Sequence, residues 1–118
     1  MGDDLDDIEF EKRFRSLRAQ YLAELPTRRE ALASLWAASR HDVASSAWHE
    51  LQTLAHRLSG SAPCYGLDAM GEAAQELDRL LSGKPPCREQ KLVHPSVAQL
   101  LALMDAAIAG NRVRARLS

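Results

Sequence analysis

A chain of 118 residues with a formal charge of −1 has room for one domain around one core and carries no global field that would attract nucleic acid. Apolar residues make up 46% of it but aromatics only 5%, with Ala and Leu dominant, which favours helix and disfavours a β-sandwich. No apolar run approaches about 18 residues, and Asp105 interrupts the best candidate, so no membrane span is expected. Cys64 and Cys87 form no C-x-x-C pair and are too few for a disulfide framework. Met1-Gly2-Asp3-Asp4 is acidic where a secretory leader would be basic and then apolar. These features predict a cytoplasmic monomer with reduced thiols.

Asp3, Asp4, Asp6, Asp7, Glu9 and Glu11 crowd the N-terminus. Acids there suit either the positive end of a helix dipole or a solvated tail. Phe10, Phe14, Leu17, Tyr21 and Leu25 then recur at helical spacing. Pro26-Thr27 interrupts the pattern, and Leu32, Leu35 and Trp36 resume it on a shifted face. Pro26 therefore kinks one long helix or divides two, and both pieces are expected to pack on the helix that follows. Arg40-His41-Asp42 makes a short connection, with Asp42 or Ser45 as the expected N-cap.

The next helix is expected over about residues 43–62, with Ala44, Ala47, Trp48, Leu51, Leu54, Ala55, Leu58 and Ala62 on one stripe. At about 100° per residue His56 falls roughly 130° from the centre of that stripe, so its ring should point outward. Gln52, Ser59, Gly60 and Pro63 share the exposed face, and most are short or lack a side chain. A bulky partner could approach the ring across Gly60. Pro63 should end the helix by removing a backbone donor and biasing Ala62 away from α geometry. Gly66 permits a left-handed turn. Leu67, Met70, Ala73, Ala74, Leu77, Leu80 and Leu81 then predict an amphipathic helix over about 67–82, an antiparallel neighbour of the first. Gly83 should close it, followed by the stiff linker Lys84-Pro85-Pro86-Cys87. Residues 88 to 94 are ambiguous. Pro95 fits the first turn of a last helix whose buried stripe is Val97, Leu100, Leu101, Met104 and Ile108, with Arg112, Arg114 and Arg116 at its negative end. The sum is an all-α, antiparallel four-helix bundle with an additional N-terminal helical segment.

The run Ala55-His56-x-Leu58-x-Gly60-Ser61-Ala62, then Gly66-Leu67, Met70, Ala73-Ala74 and Leu77-Asp78, resembles the histidine-containing phosphotransfer (HPt) domain family. That family usually reads A-H-x-L-K-G-S-A, a short turn with Gly, then L-x-x-x-A-x-x-L-E. The strict motif spans about a quarter of the chain, while helix order and length fit over nearly all of it. The resemblance implies that His56 is the phosphoacceptor and Gly60 the close-packing glycine. It also implies partnership with response-regulator receiver domains and a hybrid histidine kinase. Ser59 departs from the usual Lys, and Pro63-Cys64 is unusual for the segment.

The chemistry of the residues agrees with that expectation. A neutral imidazole nitrogen is a competent nucleophile near pH 7. A loose phosphoryl-transfer transition state needs in-line placement and charge neutralisation, so the protein itself needs no cofactor if the receiver supplies Mg²⁺ and an acidic pocket. Gln75 and Asp78, on the edge of the antiparallel helix, should lie level with His56, either as a solvated edge or as an orienting hydrogen bond. His49, seven residues before His56 on the same face, stands about 10.5 Å away along the axis. It is a surface histidine or, with Gln52, Arg57 and Pro63, part of a docking patch. His49-Glu50-Leu51-Gln52-Thr53 fails the H-E-x-x-H zinc signature, no Glu-x-x-His occurs, and neither a P-loop nor a G-x-S-x-G elbow is present. Without a nucleotide-binding motif, no autokinase activity is expected. The alternative function is a helical bundle that docks on receivers or kinases as a regulator without being phosphorylated, a reading kept open by Ser59.

Overall fold

Each stretch of apolar residues at spacings of three and four becomes one helix. The computed structural model describes residues 2–42 and 44–117. Helix α1 spans Gly2–His41, α2 Ala47–Ser61, α3 Asp68–Leu81 and α4 Gln90–Leu117, with a single 3₁₀ turn, Ala62–Tyr65, after α2. The helices run up, down, up and down, so that α1 packs on α2 and α4, and α3 packs on the same two. Leu25, Leu32, Leu51, Ala55, Ala74, Leu77, Val93, Leu100 and Met104 are fully enclosed where the four stripes meet. Trp36 meets Trp48 edge-on, with centroids 6.0 Å apart, at the end of the bundle where α1 leads into α2.

Pro26 lies inside a single α1 and does not divide it. The ring and the lost backbone bond cost about 3 kcal/mol. Leu22, Leu25 and Leu32 are buried on either side, and each burial contributes about 1.5–3 kcal/mol, so packing outweighs the break. The same competition decides the start of α4. Pro95 sits well inside that helix, beyond the first turn where it was expected. Val93, fully buried one turn before Val97, extends the stripe backwards and carries the helix to Gln90, whose side-chain amide donates to the Arg40 carbonyl at 2.6 Å.

The ends of α2 and α3 differ from expectation in detail. The expected start of α2 falls on Val43, which lies outside the described residues; the helix begins at Ala47. Asp42 and Ser45 receive the Ala44 and Ala47 amides, so they brace the preceding turn, and Ser46 holds the N-cap position without a side-chain bond. Ala62 keeps right-handed helical angles of −59° and −45° despite Pro63, because the chain tightens into the 3₁₀ turn in which proline needs no donor. Gly66 takes φ +78° and lets the chain reverse. Gly83 is not left-handed; Ser82 occupies the C-cap, and the Cys87 amide bonds the Leu80 carbonyl to close the linker.

The largest departure is at the N-terminus. Tyr21 and Leu25 join the core as expected, but Phe10, Phe14 and Leu17 do not. Helix α1 is 40 residues long and outruns its neighbours, giving the molecule a 58 Å long axis against 31 and 20 Å across. Its entry into the bundle is fixed by Tyr65, which stacks on Tyr21 at 4.7 Å and Phe14 at 5.9 Å and accepts from Arg18 through its carbonyl. Helix α4 is long and apolar enough, by length and composition alone, to cross a bilayer. Its apolar side is largely core, with Val93, Val97, Leu100, Met104 and Ile108 buried.

Candidate functional site

Helix α2 buries Ala47, Trp48, Leu51, Ala55 and Leu58, and this orientation turns His56 into solvent with its side chain 72% exposed. The antiparallel α3 buries Met70, Ala73, Ala74, Leu77 and Leu81, which places Asp78 at the edge facing α2. Asp78 Oδ2 lies 2.9 Å from His56 Nδ1. Gln52, one turn before His56, donates from Nε2 to Asp78 Oδ1 at 2.7 Å. The Asp78 side chain is only 17% exposed, so both its oxygens are held while the ring it faces stays open. A carboxylate offers only acceptors, so the ring nitrogen facing it carries the hydrogen. In that tautomer Nε2 keeps its lone pair and faces outward, in an orientation held from the other side of the ring.

The other residues singled out from the sequence have different positions. Gln75 is exposed and hydrogen-bonds no described residue, so only Asp78 of that pair reaches the ring. Gln52 is half-buried and committed to Asp78 instead of lying free on a docking face. Ser59 turns its hydroxyl back to donate to the His56 carbonyl at 2.6 Å, which occupies the donor within its own helix. Arg57 is exposed and borders a shallow groove between α1 and α2, over Ala31, Leu35 and Leu54. His49 is exposed on the other flank, beside a groove formed with Trp48, Leu81 and Lys84. Arg79, next to Asp78 in α3, is paired with Glu76 at 2.6 Å; that bond raises the guanidinium pKa and lowers the carboxyl pKa. Among the described residues no three His, Cys, Asp or Glu side chains converge on a common metal position.

Gly60 is not a close-packing glycine: a Cβ there would meet no atom within 4 Å. It leaves a bare strip one turn beyond His56. The tight contact is at buried Gly71, where a Cβ would stand 2.6 Å from Pro63 Cγ and 2.8 Å from Cδ. In the sequence alone, a single glycine inside a helical stripe has the pattern of a tolerated small residue. The usable signal was its place opposite Pro63, across the Gly66 reversal.

The site is thus an outward imidazole on one helix of an up-down four-helix bundle, with a carboxylate from the neighbouring helix behind it. A family model for the Hpt domain matches residues 16–110, and the chain belongs to that family. Hpt domains serve histidine phosphotransfer in two-component signalling; they are carriers, not kinases, and interact with receiver domains and kinases. No curated protein and no solved structure matches the chain.

Proposed function

We propose that this protein is a phosphorelay intermediate that takes a phosphoryl group onto His56 from a receiver phosphoaspartate and passes it to an aspartate of another receiver. In the forward step Nε2 attacks phosphorus in line, the N–P bond forms as the P–O bond breaks, and the receiver carboxylate leaves with the electron pair. Asp78 keeps the hydrogen on Nδ1 and supports the positive charge that the ring acquires. Mg²⁺ and the remaining charge neutralisation are assigned to the receiver, and phosphate enters the system through a hybrid histidine kinase. The observation that carries this reading is the pairing of an open Nε2 with an Nδ1 held by Asp78, which leaves the ring one reactive face and one orientation.

Incubation with a phosphorylated receiver and Mg²⁺ tests it. The wild type should gain an acid-labile, base-stable phosphoryl group, and His56→Gln should gain none while keeping its helical circular dichroism. Labelling of His41, His49 or His94 in that variant would refute the assignment. A wild type that binds the receiver without incorporating phosphate would leave the regulator alternative standing in its place.

A further inference from the structure

Gln52 and His56 stand one turn apart on α2, and both side chains end on the same residue of α3. Gln52 Nε2 donates to Asp78 Oδ1 at 2.7 Å, and His56 Nδ1 meets Asp78 Oδ2 at 2.9 Å. Positions four apart share a helix face, so the two reach the carboxylate side by side. They differ in freedom: the His56 side chain is 72% exposed, whereas Gln52 is half-buried. A single bond from so open a ring leaves the carboxylate free to turn about χ2, which is broad for aspartate. The second bond, on the other oxygen, removes that rotation.

The chemical type of the second donor matters as well. An amide side chain has a donating and an accepting end, and a carboxylate only accepts, so Gln52 turns its NH2 group toward Asp78. It holds the oxygen without bringing a charge. A lysine in its place would also donate, but would offset the negative charge that supports the ring. Arg79, next to Asp78 in the chain, is kept by Glu76. The charge of Asp78 thus stays directed at His56.

We propose that Gln52 is a positioning residue of the phosphotransfer site. It acts through Asp78, holding the carboxylate so that Nδ1 of His56 carries the hydrogen and Nε2 is the nucleophile. This role rests on the phosphotransfer reading and adds a residue to it. It sets Gln52 behind the ring, where the sequence pattern had suggested a docking patch.

Heteronuclear NMR of the imidazole nitrogens in the unphosphorylated protein reads the tautomer, and transfer from a phosphorylated receiver with Mg²⁺ reads the reaction. At a pH where the ring is neutral, the wild type should hold the hydrogen on Nδ1. Gln52→Leu removes the donor and keeps a similar volume. It should move the ring toward a mixture of tautomers and slow transfer about threefold, part of the loss expected on removing Asp78 itself. Gln52→Lys supplies a donor again and should restore the Nδ1–H tautomer. In an Asp78→Ala background Gln52→Leu should cost nothing further, because its effect passes through the missing carboxylate. A tautomer that Gln52→Leu leaves unchanged overturns the proposal. So does a further loss of transfer in the Asp78→Ala background, which would return Gln52 to the docking surface. A wild type that takes no phosphate refutes the phosphotransfer reading and this role with it. A wild type that takes phosphate while its tautomer is indifferent to Gln52→Leu refutes this role alone.

Discussion

Asp78 is the residue on which the orientation of His56 depends. Without it the ring could rotate freely and present either tautomer, and Gln52 would lose its acceptor. Asp78→Ala should slow phosphoryl transfer by about tenfold, within the range seen when an orienting partner of a reactive imidazole is removed. Asp78→Asn should recover most of the rate, because its carbonyl can still accept from Nδ1. Transfer kinetics from a phosphorylated receiver check this, with thermal melting to separate rate from folding. An equal loss in both variants would show that the carboxylate charge matters, not the hydrogen bond. Ser59, by contrast, puts no charge near the site and uses its hydroxyl on its own helix. The family's usual lysine is therefore not mimicked by this serine.

The hairpin of α2 and α3 depends on a contact that neither helix reveals alone. Pro63 opens the 3₁₀ turn and presses its ring against Gly71 as the chain returns. Gly71→Ala would gain about 1 kcal/mol of helix propensity. It would also drive a methyl group into a rigid ring, an overpacking cost of about 1–3 kcal/mol. The clash should prevail, lowering the melting temperature by several degrees. Adding Pro63→Ala should restore most of the loss, because it removes the ring atoms at 2.6 and 2.8 Å and leaves a Cβ at Gly71 only an ordinary 3.5 Å contact with the backbone nitrogen of residue 63. Thermal unfolding of the two single variants and the double variant gives the coupling directly. At Gly60 the same reasoning has the opposite sign: with nothing within 4 Å, a side chain there is tolerated by the fold and obstructs only what approaches His56.

On the scale of the whole molecule, the bundle and the overhang of α1 are separable. The family match begins at residue 16, and of the described residues before it only Phe14 stacks on an aromatic ring of the bundle. A chain shortened to start at residue 16 should fold into the same bundle and lose the Phe14–Tyr65 stack. The cost is about 0.5–1.5 kcal/mol. Urea unfolding of the full and the shortened chain measures this loss. A much larger cost would mean that the overhang packs on the bundle.

Periodicity alone determined a good deal of this protein. The stripes of α2, α3 and α4, the reversal at Gly66 and the outward direction of His56 are local properties, fixed by where a residue falls around its own helix axis. The A-H-x-L-x-G-S-A run supplied the family resemblance without any knowledge of packing. Only the tertiary structure could choose Asp78 over Gln75 as the partner of the ring, because that choice depends on how far α3 slides along α2. It also decided that Pro26 and Pro95 lie within helices, since the burial that outweighs their cost comes from other elements. The fate of Phe10, Phe14 and Leu17 belongs with these. Their spacing is that of a buried stripe, yet whether a stripe is covered depends on the lengths of the neighbouring helices, and here α1 continues after those helices have ended.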